Sequence, residues 1–325
     1  PVAGMSNLHG LMDATNVMSY GAFTAFGFGS PTVYLPTLMK NNYGYDTFFY
    51  AQNLSGNDAN ITVNYSDGVT KTATGVKPGA SAKFDQALED HAGKVFAATV
   101  SATANIAITV AQNGPTLLTY NSFAEGSYFP VMPLVQENHY GYFSGIQIQN
   151  IGSDEAEVKV RYTPSLHGTS CDERQTIPAG ESRTFGEPAF YRDGGNTDCV
   201  KGQMFVGSAK VVTNSGGQPL VAVVNQLNNQ TRKGGSYNAF DPAKGGSGII
   251  YPLIMDRNYD YFTSWSIVNV GSATLAANAI VCQVTGKDKN GNPVNKTLTN
   301  ASEVAINASW TLEHKNLIAD GFVGG

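Results

Sequence analysis

The 325 residues predict an all-β chain of tandem Ig-like antiparallel β-sandwich domains, the last one incomplete, with an N-terminal donor strand segment in front. Short runs alternate apolar and polar residues with period two, as Ile61, Val63, Tyr65 and Val158, Val160, Tyr162 do, which a strand with one buried and one wet face requires. Turn pairs such as Asp67-Gly68 and Asn290-Gly291 punctuate those runs and read as hairpins. A set of anchors also recurs in one order, at a spacing of about 100 residues that suits a seven- or eight-stranded sandwich.

Residues 1–33 read as a closing segment with no domain in front of it to close. Ser19-Tyr20-Gly21-Ala22-Phe23 is a close copy of the box Ser236 to Phe240, and Pro1 to Asn7 can be laid on Pro219 to Asn225. Residues 34–127 form the first sandwich. It opens on Tyr34-Leu35-Pro36, continues through Tyr43-Gly44-Tyr45, Gln52-Asn53 and the turn Pro78-Gly79-Ala80-Ser81, and closes on Ile106, Ile108, Val110 and the Thr119 to Phe123 box. Residues 128–247 form the second, with Tyr128-Phe129-Pro130, Tyr140-Gly141-Tyr142, Gln149-Asn150 and Pro178 to Ser182 as the matching anchors. Residues 248–325 repeat the pattern from Tyr251-Pro252 through Tyr259-Asp260-Tyr261 and Val268-Asn269. The third copy stops at Phe322-Val323-Gly324-Gly325, which match Phe205 to Ser208, so it is expected to lack its last strands. Phe49, Ile146 and Trp265 fall at equivalent points and are read as core. Residues 84–94 and 311–320 leave room for a short turn of helix.

Composition narrows the function classes. Charged residues make up 14% and the net charge is -5, so no basic stripe exists to neutralise a nucleic acid. No apolar run approaches the ~20 residues of a membrane-spanning helix. Beginning at Pro1, the chain reads as a processed secreted product whose targeting sequence has gone, located outside the cell or at its surface. Cys171 and Cys199 both lie in the extra loop material of the second unit and are expected to pair there, which implies an oxidising location. Cys282 reads as a buried unpaired thiol. Seven sequons, at Asn53, Asn60, Asn64, Asn229, Asn295, Asn300 and Asn307, offer glycan sites.

A catalytic or metal constellation does not emerge. His9, His91, His139, His167 and His314 occupy unrelated positions, and neither a nucleophile elbow nor a phosphate-binding glycine loop is present. No catalytic, cofactor-binding or metal-ligating residue is assigned; the Asp193 to Asp198 loop is the one segment with carboxylates close enough to suggest calcium. The expectation is a protein that is not an enzyme and needs no cofactor.

The Tyr-Leu-Pro opening, the Gln-Asn-Leu-Ser strand end, the Pro-Gly-Ala-Ser turn and the Ser-Tyr-Asn-Ala-Phe close resemble tandem repeats in secreted surface proteins of filamentous bacteria such as Chloroflexi. The implied assembly is similar to that of donor-strand-complemented pilus and fibre proteins. The expected partner is therefore a second copy of the chain, in a structural extracellular filament, pilus or sheath that polymerises head to tail. Val2, Met5, Leu8, Leu11, Met12, Val17, Tyr20 and Phe23 at the front, with Phe322 and Val323 at the back, are the expected polymer contacts. The alternative is a monomeric adhesin or carbohydrate-binding array that uses the tyrosine-rich openings.

Overall fold

A computed structural model describes residues 29–191, 196–259, 261–313 and 316–325, and describes 5–9 and 20–24 through their backbone. Nearly all of it is β-structure in antiparallel sheets. Among the described residues the N-terminal strands β1 (Met5–His9) and β2 (Tyr20–Thr24) pair only with each other.

Unit 1 contains β3 (Ser30–Met39), β4 (Asp46–Asn53), β5 (Ala59–Tyr65), β6 (Thr70–Val76), β7 (Ser81–Asp85), β8 (Val95–Asn113) and β9 (Leu117–Asn121). The long β8 serves two ladders. Its first half pairs with β3 and β5, and its second half with β4 and β9. Ile61, Val63 and Tyr65 point inward from β5 as their spacing predicts, and meet Phe49, Ile106, Ile108 and Val110 of the other ladder in one cluster.

Unit 2 contains β10 (Val131–His139), β11 (Tyr142–Asn150), β12 (Ala156–His167), β13 (Cys171–Ile177), β14 (Ser182–Gly186), the short helix α1 (Glu187–Tyr191), β15 (Phe205–Ser215), β16 (Leu220–Asn228) and β17 (Lys233–Asn238). Its pairing order matches unit 1. β15 joins β10 and β12, while β16 joins β11 and β17, so β15 and β16 together do what β8 does alone. Unit 3 contains β18 (Ile254–Asp256), β19 (Trp265–Val268), β20 (Val281–Lys287), β21 (Pro293–Thr299), β22 (Ser309–Leu312) and β23 (Phe322–Gly324). β23 joins β18 and β20 as β15 joins β10 and β12, and β19 pairs with β22 as β11 pairs with β14.

Two local devices fix the correspondence between units. Left-handed backbone recurs in pairs at Asn41 and Tyr43, Asn138 and Tyr140, and Arg257 and Tyr259. At the first two, the tyrosine and the following Gly44 or Gly141 both take positive φ, the conformation a two-residue type I′ hairpin demands. Buried Asn53, Asn150 and Asn269 form the second device. Each donates its amide to the carbonyl four residues on (Asn57, Asp154, Ala273) and to one across the loop (Val76, Ile177, Val304), and accepts from the N–H two residues on. By this register Pro36 corresponds to Pro133 and Pro252, not to Pro130 as the Tyr-x-Pro motifs suggest; a tyrosine-proline match of so few residues slid by three.

One of the two helical expectations changes. Residues 86–88 make a 3-10 turn capped by Asp85, but 311–312 complete β22. The helix that forms, α1, was missed although Pro188 stands where a first turn tolerates it.

Candidate functional site: an open strand edge

β4 is held on both sides. Phe49 faces Phe84 of β7 on one side and Val110 of β8 on the other. β11 is held likewise, with Ile146 between Phe185 and Val224. β19 has one neighbour: Trp265 faces Leu312 of β22, and its second edge has no strand partner among the described residues. An edge of this kind is a template for another strand, because each backbone pair it gains contributes about 1 kcal/mol net.

The core beneath that edge is thin. Among the described residues its cluster has four buried members, Ile254, Trp265, Val284 and Phe322, while Tyr251, Ile267, Cys282, Trp310 and Leu312 pack around them half-exposed. The unit 2 cluster includes inward residues from the strand beside β11, Leu220, Ala222 and Val224, and unit 1 has Ile106, Ile108 and Val110 in the same place. Unit 3 has no counterpart for these among its described residues. One end of a groove of about 1120 Å³ opens there, lined by Trp265, Ile267 and Val268, by Tyr237 and Phe240 of unit 2, and by Tyr251, and the groove continues along the junction of units 1 and 2 past Phe123 and Leu220.

Unit 2 fixes the groove's position. Ser266 Oγ donates to the Pro133 carbonyl at 2.7 Å, Ser165 bonds Thr311 at 2.9 Å, and Lys210 Nζ reaches Asn307 Oδ1 at 2.8 Å. At the junction of units 1 and 2, Gln112 and Asn225 exchange side-chain amide bonds, Asn238 donates to the Asn121 carbonyl, and Val223 is buried in the unit 1 cluster. Within unit 3, Asp256 ties the segment after β22 back to β18. Burial pushes its carboxyl up, but bonds from the Asn316 and Ile318 N–H groups and the Arg257 guanidinium outweigh this and hold it below the usual range.

The expected site residues separate into groups. Phe322 and Val323 lie on β23, which is paired on both sides; Phe322 is core and Val323 is exposed, and the open edge is β19. Val2, Leu11, Met12 and Val17 lie outside the described residues, and Met5, Leu8, Tyr20 and Phe23 fall on β1 and β2. Asp193, Asp260 and His314 also lie outside. Cys171 and Cys199 form a disulfide, with Cα atoms 4.9 Å apart, that fastens the 196–199 segment to the start of β13. The reach of Cys171, Asp198 and Cys199 for a cation is thereby spent, since both sulfurs are joined. Two sequons close: Asn53 and Asn300 are buried and their amide nitrogens each donate to two carbonyls, which leaves no room for a glycan. Asn60, Asn64, Asn229 and Asn295 are exposed and Asn307 is half-buried.

Buried carboxyls outside the groove serve the fold. Glu137 in unit 2 accepts from the Ser144 N–H, and burial holds its carboxyl well above the usual carboxylate range. Glu173 accepts from the Tyr162 hydroxyl and the Gly186 N–H and is raised for the same reason. The signal for the open edge was present in the sequence as the unmatched Ile106-Ile108-Val110 run. What it could not give was which strand the gap would expose. Among the described residues no helix is long and apolar enough to cross a membrane. No protein-family model matches the chain, and neither curated proteins nor solved structures give a match.

Proposed function

We propose that the chain is a non-enzymatic structural subunit of an extracellular filament, pilus or sheath, a tandem Ig-like sandwich array that assembles head to tail. In this reading the β1–β2 hairpin of one copy completes unit 3 of the next. The observation that carries it is the position of the hairpin: β2 lies beside β9 as β9 lies beside β17. It occupies, in front of unit 1, the place that a closing strand of a preceding unit would take. Tyr20 pairs with His9 as Tyr120 pairs with Val110 and Tyr237 with Val224.

That register moves the sequence match by three residues, so His9, not Ser6, takes the Val224 position. Leu8 then takes the place of Val223, the residue that packs unit 2 onto unit 1. A front-to-back contact of this kind is heterologous and generates an open polymer unless its rotation closes into a ring. The disulfide fits an oxidising location. Deleting residues 1–24 is expected to leave units 1 and 2 folded and abolish the long fibres that negative-stain microscopy of the full chain should show. Dispersed particles from the intact chain at high concentration, or unchanged fibres after the deletion, would reject the reading.

A second reading has one observation in its favour. Tyr43, Tyr140 and Tyr259 stand at corresponding turns, exposed by 84%, 79% and 89%, and could stack on sugars as an adhesin array. Glycan-array binding by a monomer that never polymerises would favour it.

A further inference from the structure

Each complete unit is sealed by a two-point clasp. In unit 1 the Tyr120 hydroxyl donates to the Thr37 carbonyl at 2.7 Å, and three residues on, Phe123 exchanges backbone bonds with Tyr34 at 2.8 and 3.1 Å. In unit 2 the Tyr237 hydroxyl donates to the Leu134 carbonyl at 2.5 Å, and Phe240 exchanges backbone bonds with Val131, both 2.9 Å. Both phenols are held well above their usual range by burial. The clasp therefore joins the closing box to fixed points around the opening proline: the residue after Pro36 or Pro133, and the residue two before it.

Unit 3 has the acceptor half of this clasp standing open. Pro252 occupies the proline position, so Leu253 corresponds to Thr37 and Leu134, and Ile250 corresponds to Tyr34 and Val131. Neither has a corresponding partner among the described residues. Val131 is 1% exposed in its clasp, whereas Ile250 is 89% exposed and Leu253 47%. Beside them lies the apolar groove of β19, and the chain carries one further copy of the box, Tyr20-Gly21-Ala22-Phe23, on β2.

We propose that this clasp is remade between molecules: the Tyr20 hydroxyl of one copy donates to the Leu253 carbonyl of another, and the Phe23 backbone bridges Ile250. The proposal rests on the head-to-tail reading and adds to it a register, which strand addition alone leaves open. A slip of two residues would keep a ladder along β19 but leave both anchor points unmade.

Cysteine pairs in the full chain test the register, in a Cys282→Ala background that removes the free thiol. In a reciprocal antiparallel bridge the Cα atoms stand about 5.5 Å apart, within disulfide reach. Filaments carrying Phe23→Cys with Ile250→Cys are expected to give, on oxidation, a ladder of covalent oligomers in non-reducing gels, and filaments carrying Phe23→Cys with Gly248→Cys are expected to give none. Filaments that cross-link only through the Gly248 pair, or through neither, overturn the clasp while the polymer reading stands. Absence of filaments from the unaltered chain overturns both. Should the cysteine variants fail to assemble, Tyr20→Phe decides: its filaments are expected to release subunits about fivefold faster than the unaltered ones, the effect of one net hydrogen bond, and an unchanged rate contradicts the proposal.

Discussion

Units 2 and 3 share a pairing order and differ in closure. In unit 2 the strand β11 lies between two partners and its inward residues Ile146 and Ile148 are fully buried. In unit 3 the corresponding strand β19 keeps one partner, and Ile267, which corresponds to Ile148, is half-exposed over a groove. The difference teaches where stability resides in such a domain. The ladder β18-β23-β20-β21 and the β19-β22 pair persist without the closing strands, but the cluster between them loses one wall. What the closing strands contribute is burial more than pairing.

The contrast can be broken most sharply at the equivalent isoleucines. Ile148→Ala removes a fully buried side chain and is expected to lower the stability of unit 2 by about 3 kcal/mol. Ile267→Ala in dispersed subunits is expected to cost about 1 kcal/mol, because half-exposed methylenes have little transfer energy to lose. Hydrogen exchange resolved by unit would read both values in one protein. Equal losses would mean that unit 3 is already closed in the isolated chain.

The disulfide belongs to one side of the comparison. Replacing Cys171 and Cys199 by serine opens a cross-link spanning 28 residues, and in the chain-entropy model this costs unit 2 about 3 kcal/mol. Exchange protection in units 1 and 3 should not move. A loss spread evenly over all three would show that the units unfold together.

The smallest expected effect is a pH dependence of opposite sign in the two units. Burial raises the Glu137 carboxyl above its unfolded value, so its contribution is fully present below about pH 4.5 and is lost as pH rises toward the folded value. Glu137→Gln should therefore gain on the unaltered protein as pH increases from 4 to 8. Asp256 is lowered, so its contribution to unit 3 is present above about pH 3.8 and is lost on further acidification. Denaturant titrations of Glu137→Gln from pH 4 to 8 and of Asp256→Asn from about pH 5 down to about pH 2 check both directions; parallel curves for variant and parent would remove these groups from the account.

Much of this architecture was legible because the anchors are physical necessities. The Gln-Asn strand ends mark the asparagines that fasten the following loop, the Tyr-Gly-Tyr openings mark left-handed hairpins, and the two extra cysteines of unit 2 find each other. The alternation in β5 and β12 gave the inward face residue by residue. Less legible were features that depend on pairing across long separations. The place of Phe322 near the end of the sequence does not reveal that strand order puts β23 in the middle of its sheet and leaves β19 with one partner. The β1–β2 pairing, laid on that of β16 and β17, differs by three residues from the sequence match, and a match of small residues such as Gly4 and Ser6 carries no packing information. Nor can a sequon reveal that Asn53 and Asn300 spend their amides inside the fold.

The central claim, that one copy's β1–β2 hairpin fills the open edge of another's unit 3, is tested most directly by electron cryomicroscopy of assembled filaments. Two extra strands should run beside β19, with the first antiparallel to it, and trace without a break into the unit 1 of the adjacent subunit. Density that leaves the β19 edge bare, or that traces the two strands to the same molecule or to residues beyond Gly325, would contradict it.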